Sequence, residues 1–113
     1  MADGAHEVMT RFWEVQDTGD WARVAALFAD DAVLVDPIFG TFEGREAIDG
    51  FFERIGVEVT ESQTTFRLDE LGADGEVAWA EWTATSPKGE MTGCGLYRTG
   101  GGRITYYRDH IDR

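Results

Sequence analysis

The sequence is poor in the residues on which several kinds of function depend. One cysteine, Cys94, stands among 113 residues, so no intrachain disulfide can form and a thiolate zinc site has too few ligands. The two histidines, His6 and His110, form no HExxH-type pair, and no metal site is expected. Basic residues are scarce as well: 10 Lys and Arg face 22 Asp and Glu, for a net charge of −12. Nucleic acids and anionic membranes reward basic patches, so neither is an expected partner. No apolar run approaches the ~20 residues that cross a bilayer. The opening MADGAHEVMTRFWEV also lacks the basic and apolar regions of a signal peptide. The expected location is the cytoplasm.

What remains is globular in character, with 42% apolar and 12% aromatic residues, and the length suits one domain over 1–113. Residues 5–17 carry Val8, Met9, Phe12, Trp13 and Gln16 at helical spacing. Gly19 can end that helix and Asp20 can cap a second, Trp21 to Ala29, that buries Trp21, Val24, Ala25 and Phe28. The run AVLVD (32–36) predicts a short strand. Pro37, Gly40 and Gly44 then mark a loop that holds Phe39 and Phe42. A third helix is predicted from about Arg45 to Ile55 on the stripe Ile48, Phe51, Phe52 and Ile55. From there the pattern turns to period two. VEVTESQTTFRLDEL, EVAWAEWTAT, EMTGCGLYR and RITYYRDHID read as four antiparallel strands, parted by turns at ADG, SPKG and TGGG. Helices followed by strands predict an α+β fold, three N-terminal helices packed on a curved, mostly antiparallel sheet. Such a cone encloses a natural pocket for a small molecule.

Within this pattern LFADDAVLVDPIFG is unusual. Asp30 and Asp31 suit a polar turn, but Asp36 closes an apolar strand and is fixed before Pro37. Either it opens an Asp-Pro turn, which Asp favours, or it has a chemical use. The stretch GDWARVAALFADDAVLVDPIFGTFEGREAIDGFF (19–52), with GGGRITYYRDHID at the end, resembles the SnoaL-like branch of the nuclear transport factor 2-like superfamily. That branch includes ketosteroid isomerases, limonene epoxide hydrolases and polyketide cyclases. The resemblance spans nearly the whole chain and implies a cone-shaped α+β barrel. It also implies acid–base chemistry without a cofactor.

Carried over by position, Asp36 falls where ketosteroid isomerases hold their proton-shuttling aspartate. Phe12 and Cys94 fall at the two donors of their oxyanion hole. Phe12 cannot donate a hydrogen bond and a thiol donates weakly. Asp109 falls at an aspartate of the epoxide hydrolases, with Glu81 and Thr83 on the strand that carries their arginine and second aspartate. The resemblance thus implies a cavity lined by Asp36, Trp79, Glu81, Thr83, Cys94, Tyr107 and Asp109, completed by Phe12, Trp13, Phe52 and the Phe39/Phe42 loop. The catalytic candidates are Asp36, Asp109 and Glu81; desolvation and mutual repulsion of such carboxyls raise their pKa values.

Competing readings stand beside each candidate. Asp109 can pair with Arg108 at the surface, although alternation sends the two to opposite faces. A one-residue slip would turn Glu81 outward. Cys94 can be a plain core residue, His6 a terminal exposed one, and His110 an outer-face one. In the same register Trp82, Tyr97 and Tyr106 lie on the outer face, and that aromatic patch predicts a homodimer. The expected ligand is small, apolar and neutral, and a non-catalytic binding or assembly module is the alternative to an enzyme.

Overall fold

The stripe over 5–17 forms α1 (Ala5–Asp17), which buries Val8, Met9, Phe12 and Trp13 on one face. Gly19 follows with φ of 77°, a conformation that costs glycine little, and turns the chain into α2 (Trp21–Ala25). The Asp20 side chain accepts from the Arg23 N–H at 3.2 Å, an N-cap as predicted. These features belong to the computed structural model of the chain, which describes residues 4–112. The domain expected over 1–113 thus has residues 1–3 and 113 outside the described part.

The second helix is shorter than its apolar spacing predicts. It stops at Ala25, and the chain is already extended at Phe28, the first residue of β1 (Phe28–Asp36). Phe28 is fully buried either way, so burial alone does not tell helix from strand there. The neighbouring sheet decides it: Phe28 lies beside Ile104, and the Ile104 N–H donates to the Leu27 carbonyl at 3.0 Å. Arg45 Nη2 donates to the Ala25 carbonyl at 2.7 Å, meeting one acceptor that a helix end leaves open.

The segment predicted as a loop folds back instead. Gly40–Glu43 forms β2, antiparallel to β1, with Leu34 opposite Phe42 and Asp36 opposite Gly40. α3 (Arg45–Ser62) runs seven residues past the predicted end, through VEVTES, which the alternation assigns to a strand. Once a helix is nucleated each further residue adds a hydrogen bond. Here Thr60 and Ser62 also turn their hydroxyls back to the Gly56 and Glu58 carbonyls. Gln63, left-handed at φ 55°, ends it. Gly56 lets α2 approach: a Cβ there would stand 2.9 Å from the Trp21 ring, which stacks on Phe52 of the same helix.

The four-strand meander is present: β3 (Thr65–Asp74), β4 (Val77–Ser86), β5 (Gly89–Gly100) and β6 (Arg103–Ile111) pair antiparallel in succession. β1 then adds to β6 in parallel, giving one six-stranded sheet in the order β2-β1-β6-β5-β4-β3. The architecture is the α+β arrangement expected, three helices against a curved, mostly antiparallel sheet. Val35 pairs with Arg108, so the next residue of each strand is Asp36 and Asp109. Residues far apart in the chain thereby reach the same end of the sheet. Between sheet and helices the core is largely aromatic, with Phe12, Phe28, Phe52, Tyr97 and Tyr107 in edge or tilted contact. Among the described residues no helix is long and apolar enough to cross a membrane.

Candidate functional site

A cavity of about 130 Å³ opens between the helices and the end of the sheet that carries Asp36 and Asp109. α1 contributes Trp13 and Gln16, α2 Trp21, and α3 Phe51, Phe52 and Ile55. The sheet contributes Phe66, Trp82, Met91, Tyr107, Asp109 and Ile111, and the β1–β2 turn supplies Pro37, Ile38 and Phe39. Arg54 lies over the Phe39 ring at 4.3 Å and holds it at the rim. The wall is almost wholly apolar, and its two carboxyls, Asp36 and Asp109, share it with the Tyr107 hydroxyl.

Asp109 is the centre of a network. Its Oδ1 accepts from the Tyr97 hydroxyl at 2.9 Å and from Trp82 Nε1 at 3.3 Å; its Oδ2 accepts from the Tyr107 hydroxyl at 2.8 Å. Three adjacent strands supply these donors, because strand pairing sets Gly95 opposite Asp109, and Tyr97 opposite Tyr107. Gly95 is required by this packing. A Cβ there would collide with both the Tyr97 hydroxyl and Asp109 Oδ1.

Burial pushes the Asp109 carboxyl up from 3.8 to about 6, against the three donors that favour its ionised form, and the charge of Asp36 adds to the upward push. Burial first, then the charge of Asp109, drives the Tyr97 and Tyr107 hydroxyls well above their ordinary value, so both remain donors. The geometry therefore gives a carboxyl that gains and loses its proton near neutral pH, in apolar surroundings.

Asp36 serves the turn and faces the cavity at once. Its Oδ2 accepts from the Ile38 and Phe39 N–H groups, both at 2.9 Å, as an Asp-Pro turn requires. The carboxyl nonetheless lines the cavity and acts electrostatically on Asp109 and Tyr107.

The remaining predicted residues divide. Trp13, Phe39, Phe52 and Tyr107 line the cavity. Phe12 is fully buried one layer deeper, its ring 5.4 Å from that of Tyr107, and is a core residue. Trp79, Glu81, Thr83 and Cys94 lie on the opposite, outer face, which corrects their expected place in the cavity. Cys94 pairs with Glu81 on one side and with His110 on the other, and Trp79 with Leu96, all turned away from Asp109. The reason is the apolar alternation of β4: Ala78, Ala80, Trp82 and Ala84 are buried against the helices, leaving Glu81 and the 48%-exposed Trp79 outside.

Thr83 is covered on that outer face by Asp69, at a bulge in β3. Its hydroxyl donates to Asp69 Oδ2 at 2.5 Å, and Arg67 Nε donates to Oδ1 at 2.7 Å. The Thr83 bond first, then Arg67, holds the Asp69 carboxyl below its ordinary value.

The same register turns Trp82 and Tyr97 inward, so the outer aromatic patch expected to include them is not formed by them. Arg108 points away from Asp109 and is exposed, as are His6 and His110. Residues that sequence reasoning missed include Trp82 and Tyr97 as partners of Asp109, Gly95 as the residue that makes room, and Gln16, Trp21, Phe51 and Phe66 among the cavity wall. Among the described residues no three His, Cys, Asp or Glu side chains converge as metal ligands.

Comparison with known proteins agrees with this fold. A SnoaL-like domain profile matches residues 9–107. No curated protein sequence matches. Among solved structures the chain is similar to an NTF2-like protein of unknown function from Mesorhizobium loti. The two share 26% identity over 96% of this chain and 91% of that one, with a TM-score of 0.81. It is also similar to SalBIII, an epoxide hydrolase/cyclase-like enzyme with a role in pyran ring formation in the polyether salinomycin. There the identity is 18% over 96% of this chain and 90% of that one, with a TM-score of 0.79, a likeness of fold. A protein with a cystatin-like fold from Methylobium petroleophilum matches at 20% identity over 96% of this chain and 76% of that one, with a TM-score of 0.82. The chain belongs to the SnoaL-like domain family.

Proposed function

We propose that this protein is an enzyme that moves protons on a small, apolar, neutral molecule without a cofactor. The observation that carries the reading is the Asp109 carboxyl, poised at about 6 in the wall of an apolar cavity that also contains Asp36. A general acid–base group works best when its pKa is close to the operating pH. In isomerisation Asp36 takes a proton from one carbon and returns it to another, while Asp109 lends a proton to the carbonyl oxygen and recovers it. In epoxide opening Asp36 takes a proton from the water that attacks carbon, and Asp109 supplies one to the oxygen as the C–O bond breaks. Tyr97 and Tyr107 keep the Asp109 carboxyl in place throughout. Isomerisation of a ring ketone, ring closure and epoxide opening all need only this pair. Polyketide-, terpenoid- and steroid-like compounds are the candidate substrates. Glu81, on the other face, has no part.

One observation favours a second reading, a binding module without catalysis. Asp36 Oδ2 and both oxygens of Asp109 are already occupied by donors from the protein itself. The homodimer reading remains with either function, and its support on the outer face passes to Trp79 and Leu96, exposed by 48% and 36%.

The test uses 3-cyclohexenone, whose conversion to the conjugated ketone is followed by absorbance, and cyclohexene oxide, followed by diol release. Turnover of either is expected, with Asp36→Asn and Asp109→Asn each lower by roughly 10²–10⁴-fold. The limb of the pH profile near 6 is expected to vanish in Asp109→Asn. Binding of ring compounds with no turnover of either by the parent would leave the binding module standing instead.

A further inference from the structure

Trp13 has a feature that neither the core nor the acid–base pair uses. Its side chain lines the cavity and is only 6% exposed, yet among the described residues its indole N–H has no hydrogen-bond acceptor. A buried donor left unpaired is costly, and proteins satisfy nearly all of them. The neighbouring aromatic groups do not explain it away. Phe12 meets Trp13 edge-on with centroids 5.9 Å apart and offers no oxygen. The Trp82 indole, on the opposite wall, is by contrast committed to Asp109. Gln16, one turn along α1, lines the same wall and adds a second polar group beside Trp13.

Resting on the reading of this cavity as a small-molecule site, we infer that the Trp13 N–H donates to an oxygen of the bound ligand, and that the ligand is a single six-membered ring bearing a neutral carbonyl or ether oxygen. Size sets the ring. A dry apolar cavity of about 150 Å³ takes up benzene, and this one measures about 130 Å³. Charge sets the oxygen's state. Asp36 and Asp109 share the cavity, and an anionic ligand would meet both carboxyls.

Trp13 stands on the helix side of the cavity, and Asp36 and Asp109 stand on the sheet side. It has the capacity that Phe12, its neighbour in sequence, lacks. The exposed apolar side chains of Ile38 and Met91, which also border the cavity, leave room for substituents on the ring to run outward over the rim.

The experiment titrates cyclohexanone and, separately, methylcyclohexane into the ¹⁵N-labelled protein. It reads the indole N–H resonances of the four tryptophans, with Trp13→Phe identifying the Trp13 peak. The expected result is a downfield displacement of the Trp13 proton by the ketone and not by the hydrocarbon. In Trp13→Phe, ketone affinity is expected to fall roughly tenfold while hydrocarbon affinity holds. A Trp13 resonance that the ketone leaves in place up to its solubility limit overturns the inference, as does equal loss of both ligands in the variant. Neither readout requires turnover, so an inactive protein that passes this test refutes the catalytic reading alone.

Discussion

Replacing Asp109 with asparagine tests the site through stability, with no need of a substrate. The folded state holds the Asp109 proton to about 6, whereas an unfolded chain releases it near 3.8. Below 3.8 both states are protonated and the group is neutral to folding. As pH rises from there, the unfolded chain sheds the proton first, and the native state loses stability until it too ionises near 6. The full loss is about 3 kcal/mol, at about 1.4 kcal/mol per pKa unit. It is an upper value, since the carboxyl is partly open to the cavity.

Roughly half of that loss falls between pH 5 and 8, a range clear of the isoelectric point of 4.3 where the protein precipitates most readily. Asparagine preserves the packing. Its carbonyl can accept from Tyr97 and Trp82 while its amide donates to the Tyr107 oxygen. Urea unfolding at several pH values, followed by tryptophan fluorescence, gives the two stability curves. Their difference cancels the titration of the other carboxyls. Asp109→Asn is expected to gain about 1.5 kcal/mol on the parent between pH 5 and 8. Parallel curves would refute the claim that burial governs this carboxyl.

Trp82→Phe removes one donor from Asp109 Oδ1 and is expected to move its titration upward from about 6, read from the Asp109 ¹³Cγ shift against pH; an unchanged midpoint would deny Trp82 its role. Asp36→Asn retains an acceptor for the Ile38 and Phe39 N–H groups, so thermal unfolding is expected to hold close to the parent. Asp36→Ala, which leaves both N–H groups unmet, is expected to cost about 1–2 kcal/mol. Leu96→Glu, on the outer face, is expected to convert a micromolar dimer to monomer in sedimentation while sparing ligand binding. A parent that sediments as a monomer removes the dimer.

The fold was legible where periodicity was strong and local. The α1 stripe, the Asp20 cap and the last three meander strands stand where Val8, Phe12, Asp20 and the ADG, SPKG and TGGG turns predict them, while the first meander strand starts at Thr65 rather than Val57. Less legible were places where short-range pattern competes with distant partners. Phe28 satisfies a helical stripe and a strand equally, and only Ile104 selects the strand. VEVTES alternates, yet the preceding turns of α3 carry it on as helix.

At the site, alternation correctly joined Tyr107 with Asp109 and parted Asp109 from Arg108, but it has two solutions on every strand. For β4 the chosen solution put Glu81 inward. The small apolar set Ala78, Ala80 and Ala84 was the signal for the other, together with Gly95 opposite Ala80 and Gly93 opposite Trp82 on β5. The partners of Asp109 depend on cross-strand register and a missing Cβ at Gly95, which one strand read alone does not reveal.

The parallel contact between β1 and β6 makes the pocket conditional on the docking of β1. The meander pairs neighbours in sequence, and β1 has its own neighbour in β2, whereas the pairing of β1 with β6 closes across the whole intervening chain. Asp36 and Asp109 come together only at that joining. A folding intermediate with a sound meander and undocked β1 would contain every hydrogen bond to Asp109 and still possess no pocket. The pocket therefore depends on one seam, between the earliest strand of the chain and the last.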